Sequence, residues 1–175
     1  MKLFQSYRVV PWEPEIIAVD DLDDAVQLIH ANQDIDDEVF YTTRDAIELG
    51  VEELYDSEVD LEMSEHIVVT QDSLRAVHRY IYPQTRIPNQ FRGIPVIVNN
   101  HLTPEPTILS KLLARLESEA RIASIRDLED WYWDFGTISP FSVGNNVIGG
   151  IILSAVSCFL QGNYLVEVTE GVHYD

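Results

Sequence analysis

Polar side chains and a Gly-Asn turn arranged like those of an active-site loop gather in one segment, Ile138-Ser139-Pro140-Phe141-Ser142-Val143-Gly144-Asn145-Asn146-Val147. Gly144, Asn145 and Asn146 stand at the entrance to an almost wholly apolar run that continues to Leu160. A Gly-Asn turn that opens a helix leaves backbone N–H groups able to hold a phosphate or carboxylate. Yet the segment contains no histidine, carboxylate, lysine or arginine. Ser139 alone has no pKa near neutrality with which to act as a base. As a nucleophile it would need a neighbouring base that the sequence does not display. Two readings are open: a weak anion site at Gly144, Asn145 and Asn146, or a turn that merely caps a buried helix.

Other candidate chemistry is sparse. The five histidines, His30, His66, His78, His101 and His173, lack the spacing of metal ligands. His78 shares a helical face with Leu74, Val77 and Ile81 and reads as a hydrogen-bonded core residue. His101 reads as an exposed loop residue, although it follows a short β segment that could bring it to the mouth of a pocket. Asp34, Asp36, Asp37 and Glu38 lack the glycine and terminal glutamate of a calcium loop, so no metal site is expected.

The elements that must position the segment are mostly helical. Asp20 or Asp21 caps a predicted helix carrying Leu22, Ala25, Val26 and Ile29. Thr42-Thr43-Arg44-Asp45 reads as a second helix start, with Gly50 weakening the helical pattern beyond it. Residues 56–65 are acid-rich and read as a loop. A third helix begins after Thr70 and ends near Pro83. Pro88 to Gly93 reads as a turn and Ile94-Pro95-Val96-Ile97-Val98 as a β piece at an edge, because Pro95 cannot donate to a ladder. Asn99-Asn100 offers a turn.

Ile108, Leu109, Leu112, Leu113 and Leu116 form the stripe of a fourth helix. Ser124 with Asp127 caps a fifth, on which Trp131, Tyr132 and Trp133 are adjacent. Three consecutive rings cannot share one helix face, so at least one is expected near the surface or an interface. Leu3 to Val10 reads as a strand or extended arm, and Tyr164 to Val168 as a strand that could pair with it. Cys158 falls inside the apolar run and reads as a small core residue, with no disulfide framework.

The charge is strongly one-sided. The chain of 175 residues has a formal net charge of −19. Residues 1–74 hold 20 acidic side chains against Lys2, Arg8 and Arg44. Direct binding to nucleic acid is thereby disfavoured, since affinity there comes from neutralising phosphates. A basic protein partner is compatible with it. No membrane span or signal peptide is read, and a reducing cytoplasmic setting, in a bacterial cell or a host cell, is expected. Residues 1–67 are read as an acidic part packed on a core formed by 68–175.

Taken in order, these pieces resemble the Fic (Fido) family, the fold of AMP-transferring Fic enzymes and Doc toxins. The family signature reads His-Pro-Phe-x-(Asp/Glu)-Gly-Asn-Gly-Arg-x-x-Arg, and the resemblance aligns Ser139 to Gly150 with it. It covers about residues 68–162. It implies a mainly α bundle with a β-hairpin flap, Ile94, Pro95, Val96 and Ile97 lying where the family clamps a target segment. By the same resemblance Ser139 stands at the proton-accepting histidine, Val143 at the metal-holding acid, and Val147 and Gly150 at the phosphate-binding arginines. A catalytically inactive protein that works by binding another protein is the reading this implies, with no cofactor and at most weak nucleotide or phosphate binding. The alternatives are an altered nucleotidyl or AMP transferase and a structural part of a larger assembly. The oligomeric state is left open.

Overall fold

A computed structural model describes residues 1–56, 66–83, 90–98 and 100–168, with backbone alone for 51–56. The acid-rich stretch 57–65, Pro88 and Asn89 of the expected turn, Asn99 and His173 lie outside the described residues. Six α-helices are present among those described: α1 Leu22–Ile29, α2 Asp37–Asp56, α3 Gln71–Ile81, α4 Leu109–Glu119, α5 Ile125–Ile138 and α6 Asn145–Gln161. Two small antiparallel pairs accompany them, β1 Glu15–Val19 with β4 Tyr164–Val168 and β2 Ile97–Val98 with β3 His101–Leu102.

Helix α6 is the centre. From Ile148 to Ser157 every residue is buried, so the helix has no polar face and must be covered all round. Helix α5 covers one side, with Gly149 letting the Phe135 ring approach. Helix α2 covers another, and Gly50 is needed there: a Cβ would lie 3.0 Å from that of Ala155. Gly50, a weakness in the sequence pattern, is thus a point of close helix packing. Val26, Ala46, Ile47, Ile151 and Ala155 form a buried cluster between α1, α2 and α6. A larger cluster joins α3, α4, α5 and α6 through Leu74, Leu113, Leu128, Trp131 and Ile148.

The two serines in the apolar run have partners. Ser154 Oγ donates to the Leu165 carbonyl at 2.9 Å, and Ser157 Oγ accepts from the Leu165 N–H at 2.7 Å. They fasten β4 to α6 and satisfy backbone groups that would otherwise be buried unpaired.

Local signals set most helix starts. Asp21 accepts from the Asp23 N–H, Thr70 from Ser73, and Ser124 from Asp127, whose own carboxylate takes the Ala123 N–H. These are N-cap and capping-box bonds. The start of α2 differs from the expectation at Thr42-Thr43. Asp36 accepts the Val39 N–H at 2.9 Å and opens the helix a turn and a half earlier. Thr43 is instead a buried interior residue whose hydroxyl meets His30 Nε2 at 2.8 Å.

The N-terminal arm corrects two expectations. Residues 3–10 form no strand: Gln5–Tyr7 is a 3₁₀ turn. The strand paired with β4 is Glu15–Val19, where Ile16, Ile17 and Val19 supply β-branched side chains. Leu3 and Phe4 donate their N–H groups to the Asp134 carboxylate at 2.9–3.0 Å. Trp12 stacks against Trp133 and takes a hydrogen bond from its indole at its carbonyl oxygen. The guanidinium of Arg8 lies over both rings. Trp131, Tyr132 and Trp133 are therefore all buried, because the arm supplies a second cover for the ring that α5 turns outward. Cys158 is another correction. It is half-buried rather than core, since the last turn of α6 emerges from the bundle.

Phe4 is fully buried in the main cluster. Phe4→Ala is expected to lower the unfolding free energy by about 3 kcal/mol or more, read from urea denaturation monitored by tryptophan fluorescence. A change below about 1 kcal/mol would mean that the arm is not part of the core.

Candidate functional site

The segment between α5 and α6 is held from inside. Ser139 ends α5 in a left-handed conformation, with φ 44°. It is fully buried. Its N–H donates to the Phe135 carbonyl at 2.8 Å and its hydroxyl to Gly136 at 2.7 Å. That hydroxyl therefore serves as a helix cap. No imidazole or carboxylate among the described residues is hydrogen-bonded to it.

Asn145 is committed in a comparable way. The Phe141 N–H donates to its Oδ1, and its Nδ2 donates back to the Phe141 carbonyl, both at 2.8 Å. This reciprocal pair closes the turn. Gly144 precedes the helix with φ 79°, and a Cβ there would come within 2.3 Å of the Tyr82 ring. Only glycine satisfies both the positive φ and that approach. Under the turn, Phe141 stacks on His78 at 4.1 Å between centroids, with Tyr82 and Phe91 beside them.

His78 is the core histidine the sequence suggests. It is buried, and its Nε2–H donates to the Val143 carbonyl at 3.3 Å. Nδ1 meets no donor among the described residues. Burial pulls its pKa below the ordinary histidine value, partly offset by that carbonyl. His101 departs from expectation. It is buried rather than exposed, because β3 turns it inward, where Nε2–H donates to the Thr137 carbonyl at 3.0 Å. Burial lowers its pKa also, as it does that of His30.

The flap is narrower than the sequence suggests. Among the described residues only Ile97 and Val98 pair, with Leu102 and His101, and Ile94, Pro95 and Val96 lead into the hairpin. Thr103 closes its base by donating its N–H and hydroxyl to Val96. Ile94, Ile97 and Leu102 are 58%, 71% and 67% exposed, so the hairpin presents an apolar surface.

Arg92, seen in the sequence only as part of a turn, joins the flap to the site. It is buried and donates to four carbonyls: Nε to Ser139 at 2.8 Å, Nη1 to Ile94 at 3.0 Å, and Nη2 to Pro104 at 2.6 Å and Ile138 at 3.1 Å. The forked, always-charged guanidinium matches such a set, and the carbonyl end of α5 favours a cation. Nothing in the sequence around Arg92 separates it from a surface arginine.

A cleft of about 320 Å³ lies between flap and turn, lined by Val96, Ile97, Val98, Ser142, Val143, Gly144, Asn145, Asn146 and Val147. Val96, Ile97, Gly144, Asn145 and Asn146 are thus brought together. Ser139, Ile94 and Pro95 are not among its lining residues. No charged side chain lines it among the described residues. Gly150 lies one turn deeper against α1, where a Cβ would be 3.2 Å from Ile29.

This arrangement is a Fic-like fold. A crystal structure of a Fic family protein from Desulfovibrio desulfuricans G20 matches it with a TM-score of 0.52 at 14% identity. The match covers 79% of this chain and 43% of that one, so this chain spans less than half of that protein's length. At that identity the likeness is one of fold. No protein-family model matches the chain, and no curated protein matches it.

Two measurements check the role of this turn. Arg92→Lys keeps the charge but loses the fork, and is expected to cost about 2 kcal/mol of stability. The histidines set a pH dependence. His78 binds its proton less readily folded than unfolded, so its contribution is complete above about pH 6.5 and is lost as pH falls through the lowered value. Asp134, raised to about 6 chiefly by burial, works oppositely: its contribution is complete below about pH 4 and is lost as pH rises through 6. Comparing wild type with His78→Phe isolates the first effect. Stability of the variant should fall less steeply between pH 7 and 5.

Proposed function

We propose that this protein is a catalytically inactive Fic-fold protein that acts by holding a protein partner. The observation that carries this reading is the commitment of the turn's polar side chains. The Ser139 hydroxyl and the Asn145 amide are both bonded to backbone, at 2.7 Å and 2.8 Å. Neither is free for a substrate unless the turn opens.

The residues at the motif positions do not fit a metal-bound nucleotide. Val143 offers no oxygen ligand from its side chain, and Val147 no cation to the cleft. Phosphoryl-type transfer depends on such charge stabilisation. The uncapped N–H groups after Gly144 leave weak anion binding as the most the helix end offers.

A protein segment suits the site better. The flap pairs only over two residues, and its exposed Ile97 and Leu102 offer apolar contact. An extended segment could add itself to such an edge. The negative charge, concentrated in residues 1–74, favours a basic partner by steering its approach. A cytoplasmic setting fits this reading, as does a place within a larger assembly.

The test pairs catalysis with binding. Incubation with labelled ATP, UTP or CTP and Mg²⁺ or Mn²⁺ should label no protein, and calorimetry should give no saturable heat with ATP. Rebuilding the motif as Ser139→His, Val143→Glu, Val147→Arg and Gly150→Arg should destabilise the protein rather than activate it, because position 139 is buried and 150 abuts Ile29. Label transfer by wild type that disappears in Ser139→Ala would instead establish the transferase alternative. For binding, an extended Lys/Val peptide should perturb the Ile97 methyl, with affinity falling as salt rises. No perturbation there would remove the flap from the account.

A further inference from the structure

We infer that the groove between α2 and α3 is a second docking surface, and that its occupant is a basic amphipathic helix of a partner protein. The inference rests on the reading that this protein acts by binding, but uses a different face. None of the groove's lining residues belongs to the flap cleft.

Two hollows run along the seam between the helices. One, of about 190 Å³, includes Val39, Thr42, Tyr80 and Ile81 in its walls. The other, of about 70 Å³, is bounded by Ala46, Leu49, Gly50, Ala76, Val77 and Tyr80. Tyr80 borders both, so they adjoin along the seam. Val39, Leu49 and Tyr80 are 37%, 41% and 41% exposed, and Ala76 is exposed as well. Val39 and Leu49 are about 15 Å apart along α2 at 1.5 Å per residue, the reach of nearly three turns of a docked helix. Apolar anchors at i, i+3 or i+4 and i+7 match a furrow of this length.

Charge selects the occupant. Glu38, Thr42, Asp45 and Leu49 follow one another at four-, three- and four-residue spacing, so two exposed carboxylates share a stripe with groove residues. Arg44 is drawn to Asp23 and Glu48, at 3.1 and 3.7 Å, away from that stripe. On α3, Arg75 is paired with Asp72 and lies over Phe91, and neither Arg75 nor Arg79 is among the residues lining the hollows. The α2 lip is therefore acidic beside an apolar floor. A helix with leucines on one face and lysines flanking them complements both.

The full chain, with labelled Ala, Ile, Leu, Thr and Val methyl groups, can be titrated with an amphipathic Leu/Lys peptide of about 18 residues, long enough for five turns. The expected result is saturable shifts at Val39, Ala46, Leu49 and Ala76. Affinity should fall about tenfold in Ala76→Arg, which fills the furrow from an exposed position, and several-fold in Glu38→Gln/Asp45→Asn or on raising the salt. A Leu/Glu peptide of the same pattern should not bind. Equal binding of the Leu/Glu peptide, shifts confined to Val96, Ile97 and Val143, or no shift up to about 1 mM peptide would overturn the inference. The same methyls shifting with protein concentration alone would also overturn it, making the occupant a second copy. Ala76→Arg should leave the extended Lys/Val peptide's effect on Ile97 unchanged, so failure at the groove and failure at the flap are told apart.

Discussion

Everything in this fold answers to a central helix that has no polar side. Helix α6 is buried from Ile148 to Ser157, and water on any flank would expose a row of aliphatic groups. Burial of that surface is the main source of stability available. It dictates α5 on one flank, α1 and α2 on another and β4 alongside, with glycines at 50, 149 and 150 where neighbours come closest. It also dictates how the helix begins. The chain must leave the buried end of α5 and turn into α6, and the Ser139 cap, the Arg92 fork and the Asn145–Phe141 pair satisfy the carbonyls and the Phe141 N–H along that path.

The site is thus explained by structural demand before any ligand is considered. Arg92 makes this plain. A single cation neutralises carbonyls from the end of α5, the start of the flap and the loop before α4, and so holds three segments at one point. A buried arginine with free donors in such a place would be a ligand for phosphate. Here the donors are turned to backbone, and the cleft above is lined by uncharged groups.

Much of the framework was legible in the sequence because it is local. Asp21, Thr70 and Ser124 cap the helices they precede, and the leucine stripe of α4 is buried as its period requires. The Gly-Asn turn before α6 lies where the motif suggests. The features that were not legible depend on distant partners. Trp133 is buried because residues more than a hundred positions away fold over it. His101 is buried because a two-residue strand turns it toward Thr137. Thr43 resembles a helix start in sequence, yet Asp36 wins that role and Thr43 pairs with His30. The two-residue flap ladder and Arg92 likewise arise from tertiary contacts that no period or cap announces.

The turn before α6 is closed by its own side chains. An NMR titration with Mg²⁺–ATP, following the Asn145 side-chain NH₂ and the Phe141 amide, tests it most directly. Both signals should stay slow to exchange with solvent and unshifted at millimolar nucleotide. Saturable shifts of both at micromolar ATP, with loss of the Phe141 protection, would contradict it.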